Sequence, residues 1–238
     1  MTCVLARTAV FVLGLLAVSS VASAQVVQSI QIGAGGFFPN GYDTRPNNDV
    51  LIKDLQNTNP MLFLVSDFRG ATISGEWNLG LGNHVEIGLG TGFYHRSVPS
   101  IYADVTFRGG TEISQLLTLR VIPVTALVRF LPIGKPSSFQ PYLAAGVSGL
   151  SFRYSEVGDF VDDFDQSIFT ARFIKSGMAA GPILAGGFRA PLGGDIYAFT
   201  MEIRHQWGTG DLGGNNGFLT NKIDLGGTHL NFGVLVRF

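Results

Sequence analysis

The sequence predicts an all-β fold, an eight-stranded antiparallel up-and-down β-barrel that spans a membrane. Three observations carry that expectation: a composition suited to lipid without a spanning helix, a period-two alternation of apolar with small or polar residues, and a regular alternation of long and short connections.

Of 238 residues, 46% are hydrophobic, only 14% are charged and 32 are glycine. Soluble domains carry about 25% charged residues. With so few charges, a water-facing surface would expose large apolar patches, a difficulty that a lipid-facing surface does not have. Beyond residue 24 there is no apolar run of about 18 residues, the length that marks a spanning helix. Backbone polar groups in hydrocarbon need internal partners, which leaves a closed barrel. Lys and Arg number 16 against 17 Asp and Glu, a net charge of −1. That balance lacks the basic face a nucleic-acid partner would require.

Residues 1–24 read as a cleavable export signal. Arg7 gives a positive start, residues 8–18 form the apolar core, and Ala22-Ser23-Ala24 supplies a small-x-small cleavage site before Gln25. The chain then divides into the signal, 1–24, and one barrel domain, 25–238. The only cysteine, Cys3, falls in the signal. Neither a disulfide nor a thiol nucleophile is expected in the barrel.

Alternation marks eight segments: 28–38, 69–81, 84–98, 112–131, 139–156, 172–190, 195–208 and 228–238. The seventh is clearest, with Tyr197, Phe199, Met201, Ile203 and Trp207 on one face and Thr200, Glu202, Arg204 and Gln206 on the other. The connections run long (39–67), short (82–83), longer (99–111), short (132–138), longer (157–171), short (191–194) and longer (209–227). Outer-membrane barrels have this rhythm of short periplasmic turns and long external loops. Inner-face glycines at 88, 90, 92 and 233 relieve crowding in a narrow barrel. Phe37, Phe38, Trp77, Phe93, Tyr142, Phe152, Tyr154, Tyr197 and Trp207, near strand ends, suit interfacial girdles.

Two prolines, Pro123 and Pro182, fall inside segments, where a closed sheet has no free edge to hold them. In the fourth segment the apolar residues are odd-numbered before Pro123 (Leu117, Leu119, Val121) and even-numbered after it (Val124, Ala126, Val128, Phe130). That phase change predicts a bulge at Ile122–Pro123, with Val121 and Val124 both facing lipid.

By alternation Glu76, Glu86, Arg129, Glu202, Arg204 and Arg237 point into the lumen. Buried charges must pair, so a structural ion-pair network filling the barrel is expected ahead of a gate. Asp159, Asp162, Asp163 and Asp165 cluster in one loop, but the calcium-loop order with its central glycine is absent. A solvated acidic loop is expected there, with no metal. His205 and His229 read as interfacial, with no His-x-Ser pair following His205. No phosphate-cradling motif follows the paired glycines, and no cofactor or catalytic residue is assigned.

Asn231, Gly233, Val236 and Phe238 fill the four places of the C-terminal signal of bacterial outer-membrane proteins. The stretch Phe139-Gln-Pro-Tyr-Leu-Ala-Ala-Gly-Val-Ser-Gly149 resembles an x-Pro-Tyr-x-x-x-Gly-x-x-Gly segment. That segment recurs in the small outer-membrane β-barrel family that includes OmpW-like and OmpA/OmpX-like proteins. The resemblance implies an outer-membrane location, a lipid and lipopolysaccharide environment, and assembly by the barrel assembly machinery. OmpW-like members pass small hydrophobic molecules, and the resemblance implies that activity without a diagnostic residue of its own. Three readings follow: a narrow passive barrel for small hydrophobic molecules, a structural or adhesive barrel acting through its outer loops, and a lipid-modifying enzyme. The first is preferred, and no enzymatic activity is expected.

Overall fold

The computed structural model describes residues 27–214 and 217–238. The segment expected to be an export signal, with Ala22, Ala24 and Cys3, lies outside the described residues. Eight long strands form the wall: β1 Gln28–Pro39, β2 Gly70–Leu81, β3 Val85–Thr106, β4 Glu112–Phe130, β5 Gln140–Val161, β6 Ile168–Pro191, β7 Tyr197–Gln206 and β8 Gly227–Arg237. Each pairs antiparallel with its neighbour in sequence. β8 returns to β1 from Ser29↔Arg237 to Pro39↔Gly227, so the sheet closes into a ring without an open edge. At the seam the Phe238 N–H donates to the Gln28 carbonyl at 3.0 Å.

Strand parity sorts the side chains. On β7, Ala198, Thr200, Glu202 and Gln206 are buried inside, whereas Tyr197 and Ile203 are exposed outside. The exposed outer apolar residues, among them Ile32, Ile73, Leu89, Val128, Leu143, Leu184 and Phe232, form a lipid-facing band.

About 9–11 residues per strand suffice to cross a bilayer. β1, β2, β7 and β8 are near that length, but β3 to β6 run 22, 19, 22 and 24 residues. Residues 99–106, 157–161 and 168–171, expected as loop, therefore continue as strand. Their inner faces have something to pack on beyond the band, namely loop 1 (residues 40–69). That loop contains α1 Val50–Gln56, two 3-10 turns and the short strand Met61–Leu62, which pairs with β3. Its residues Val50, Leu51, Met61, Phe63 and Phe68 turn into the barrel mouth. There they meet Tyr94, Val98, Ile113, Leu117, Leu119, Val121, Leu150, Phe152 and Tyr154 of the wall. Loop 4, with a small hairpin of Thr209–Asp211 and Lys222–Asp224, adds Leu212, Ile223 and Leu225 to this core.

The core at the mouth corrects two expectations. The bulge at Ile122–Pro123 is absent. Register with β5 is continuous from Val121↔Phe152 to Val124↔Gly149, and the offset against β3 is the same at Tyr94↔Val121 and Thr91↔Val124. Val121 faces inward at 3% exposure and Val124 outward at 62%. The apolar phase changes because the lumen changes, from an apolar half near the loops to a polar half near the turns. Phe37, Tyr142, Phe152 and Tyr154 are likewise buried inside and not at the interface; their size fills the lumen. Of the residues assigned to a girdle, Phe38, Trp77, Phe93, Tyr197 and Trp207 face outward.

Both prolines are held by gaps in a ladder. The β3–β4 ladder lacks pairs where Gly92 and Phe93 stand opposite Pro123 and Ile122. The Pro123 carbonyl faces that gap and accepts from Thr91 Oγ1 at 3.0 Å. In a strand the missing N–H points the same way as the carbonyl, so no ladder bond is forfeited elsewhere. The β6–β7 ladder begins at Ile183↔Gln206, one residue past Pro182, whose carbonyl accepts from the Trp207 N–H at 3.1 Å.

Candidate functional site: a lumen in two halves

The half of the lumen nearest the short turns is filled by ion pairs. Arg129 of β4, fully buried, binds Glu76 of β2 and reaches Glu202 of β7 at 3.3 Å. Its Nη1 also donates to Asn78 Oδ1. Arg204 bridges the same two carboxylates, at 3.0 Å from Glu76 and 2.7 Å from Glu202. The Tyr142 hydroxyl donates to Glu202 Oε2 at 2.9 Å, and the Arg129 guanidinium lies 5.0 Å from the Tyr142 ring centre. Nearer the turns, Glu86 is held by Arg189 at 2.7 Å and Lys135 at 3.6 Å. Among the described residues Arg237 pairs with no carboxylate; it donates to the Asp195 carbonyl at 3.0 Å and to Gln140 Oε1 at 2.8 Å.

Alternation places these groups and glycine makes room for them. A Cβ at Gly88 would stand 2.9 Å from Glu76 Oε1 and 3.1 Å from Arg129 Nη1. Buried charges are tolerable only when paired and hydrogen-bonded, and this arrangement pairs all three glutamates. Alternation along β2 puts Asn78 on the same polar face as Glu76, but it does not single out Arg189 or Lys135, and it leaves Tyr142 as an interfacial aromatic. Arg189 follows a run of small residues, Ala185 to Gly187, where inside and outside look alike.

The loop-side half is closed by loop 1. Asp49 caps α1, accepting from the Leu51 N–H at 3.1 Å. It also takes a bidentate pair from buried Arg45, at 2.9 and 3.0 Å. Arg45 continues to the Asp224 carbonyl at 2.8 Å, and the Asp224 N–H donates to Asp49 Oδ2 at 2.5 Å. One buried ion pair thus ties loop 1 to loop 4.

Between the halves, two hollows lie on either side of the wall formed by β2 and β3. A small inner one is lined by Thr72, Pro123, Arg204, His229 and Asn231. An outer groove of about 620 Å³ runs along Ile32, Gly33, Gly75, Phe93, Phe232 and Gly233 on the lipid face. Both are bounded by Ile73, Ser74, Thr91 and Gly92 of the paired strands β2 and β3, and Gly92 is also one end of the β3–β4 gap.

Above the apolar band, Arg120 of β4 stands opposite His95 of β3 and Arg153 of β5. The three line one outward hollow. His229 is not interfacial: it is buried in the lumen, 4.6 Å from Phe37 between ring centres. His205 does face outward; its Nδ1 is 2.9 Å from Thr228 Oγ1 and its ring packs on Trp207. In the acidic loop, Asp163 accepts from Asn57 and Asn59 at 3.0 Å each, and Asp159 from Thr170 at 2.5 Å. Hydrogen bonds from Ser167 hold the Asp165 carboxyl below the usual carboxylate range. Among the described residues no three His, Cys, Asp or Glu side chains converge as a metal site.

On β8, the four residues of the terminal pattern divide by parity. Asn231 and Gly233 face the lumen, and Val236 and exposed Phe238 the outside. Gly233 sits opposite Gly33 of β1.

No protein-family model and no curated protein matches the chain. Among solved structures, the outer membrane protein OprG from Pseudomonas aeruginosa superposes with a TM-score of 0.54. It is 14% identical, over 90% of this chain and 96% of that one. A major outer membrane protein from Thermus thermophilus is 14% identical over 89% and 99% of the two chains, at a TM-score of 0.44. Ail of Yersinia pestis is 12% identical over 90% and 99%, also at 0.44. The last two superpose too loosely to add weight. The chain therefore shares the fold of OprG, that of an eight-stranded outer-membrane barrel.

Proposed function

We propose that this chain is a non-enzymatic integral barrel of the outer membrane, sealed along its axis, that lets small apolar molecules leave sideways through its wall into the bilayer. The observation that carries this reading is the missing β3–β4 pairing at Gly92–Phe93 and Ile122–Pro123. The gap lies where the apolar half of the lumen gives way to the ion-pair floor. A molecule entering among the apolar side chains meets fixed charges below, and a glycine-lined wall with a lipid-facing groove beside it. Orientation follows from connection lengths, with short turns in the periplasm and the loop-1 mouth outside. His95, Arg120 and Arg153 then lie just above the band, where they suit lipopolysaccharide phosphates. Export by the signal and insertion by the assembly machinery remain part of this reading.

A staple across the gap tests it. Phe93 and Ile122 are opposite one another on the lipid face, so Phe93→Cys with Ile122→Cys gives a reducible cross-strand disulfide. Uptake of a small apolar fluorophore into vesicles with a lipopolysaccharide outer leaflet should slow in the oxidised form and recover on reduction. Equal rates in both forms would refute lateral release. The sealed lumen and folded loops would then favour a barrel that acts through its outer loops. His205 beside Thr228 gives the lipid-modifying alternative little support, since no carboxylate bonds the other ring nitrogen among the described residues.

A further inference from the structure

We propose that the loop-side mouth carries a binding site for a small organic cation with a flat apolar body, floored by Asp54 and Glu156. A cavity of about 220 Å³ lies between α1, the far end of β5 and residues 217–219 of loop 4. Asp54 is only 1% exposed, and among the described residues neither of its carboxylate oxygens has a hydrogen-bond partner. Glu156 is 3% exposed, and the only hydrogen-bond donor beside its carboxylate among the described residues is the neutral hydroxyl of Tyr154. Both line the cavity, and among the described residues no Lys or Arg does. The nearby guanidinium of Arg45 is committed to Asp49 and the Asp224 carbonyl.

Two buried anions side by side are costly, and either a proton or a cation can relieve them. The walls choose between kinds of cation. Tyr102, Phe160, Phe169 and Phe173 give aromatic faces suited to an ammonium group and its apolar body. A calcium or magnesium ion needs six or more oxygen ligands, and among the described residues no three His, Cys, Asp or Glu side chains converge here. Asp162, Asp163 and fully exposed Phe164 form the rim, so the approach is itself acidic. Burial, with Glu156 and Asp49 nearby, holds the Asp54 carboxyl well above the usual carboxylate range. The empty site can therefore keep a proton that an incoming ammonium group displaces. Among the described residues the charged or titratable groups around it are Glu156 on β5, Asp49 at the helix cap with its partner Arg45, Tyr102, Tyr154, Asp162 and Asp163. This site lies at the mouth and stands whether or not solutes leave at Pro123.

The probe is benzylammonium, with benzyl alcohol as its uncharged counterpart, titrated calorimetrically into the barrel in lipid nanodiscs. Benzylammonium should bind about tenfold more tightly than benzyl alcohol, and more tightly at pH 8 than at pH 6. Asp54→Asn and Glu156→Gln should each weaken it about tenfold, the loss of one ion pair's worth of affinity. A heat-dependent gel shift verifies that each variant folds, and either variant alone suffices. Equal binding of the alcohol, unchanged affinity in both variants, or displacement of benzylammonium by equimolar calcium would each overturn the proposal.

Discussion

Arg129 of β4 and Glu202 of β7 meet across the lumen at 3.3 Å, and Glu76 of β2 shares Arg129 with them. Three strands that are not neighbours in the wall are thus joined through the middle. Replacing Glu76 by Gln leaves Arg129 and Arg204 short of one counter-charge in a buried site. Breaking such a pair from one side costs about 3–5 kcal/mol. The unfolding midpoint in urea should fall accordingly, with the barrel still folded in mild conditions. An unchanged midpoint would mean that the network does not hold the wall.

Gly88 tests the same network sterically. An alanine Cβ would press on both Glu76 Oε1 and Arg129 Nη1, and either could give way only by disturbing its buried ion pair. Overpacking of this kind costs about 1–3 kcal/mol. Gly88→Ala should therefore destabilise the barrel, whereas Gly75→Ala, with nothing within 4 Å of the new methyl, should not. Urea titration of the two variants side by side makes the comparison.

Arg45 and Asp49 are expected to hold loop 1 in the mouth. Asp49→Asn removes the charge that Arg45 and the Asp224 N–H both use, while an amide oxygen can still cap the helix. Limited proteolysis should cut residues 40–69 faster in the variant, with the barrel's gel shift intact. Equal rates would place the hold on loop 1 in its apolar residues alone.

Acidity should tighten the same loop. Burial and neighbouring acids raise the folded Asp54 carboxyl above its unfolded value near 3.9. A raised folded value contributes stability that is complete below the unfolded value and is lost as pH rises through the folded one. Amide-exchange protection of Val50–Gln56, corrected for intrinsic rates, should thus decline as pH rises from 5 to 9. Asp54→Asn should flatten that decline. A profile as steep in the variant would assign the effect to another group.

The wall was legible in the sequence because parity is enforced wherever one face meets lipid and the other a polar lumen. Tyr197 to Gln206 reads correctly on both faces for that reason. Parity says nothing once both faces are apolar. Leu117, Leu119 and Val121 look like lipid contacts and are core, because Leu51, Phe63 and Phe68 arrive from a loop far earlier in the chain. Arg189 escaped notice among small residues that reveal no face. Asp54 and Glu156 escaped because their significance is the lack of a cation in space, which no spacing along the chain records. Pro123 was recognised as anomalous, but a gap toward one neighbour and a bulge leave the same trace in a single strand.

Planar-bilayer recording tests the axial seal most directly. With the ion pairs below and loop 1 above, the inserted wild-type barrel should show no large steady current in 1 M KCl. Glu76→Gln should leave that baseline alone, because the remaining arginines and Tyr142 still fill the section. A large, stable, ohmic conductance from the wild-type protein would contradict a sealed lumen and with it the need for a sideways exit.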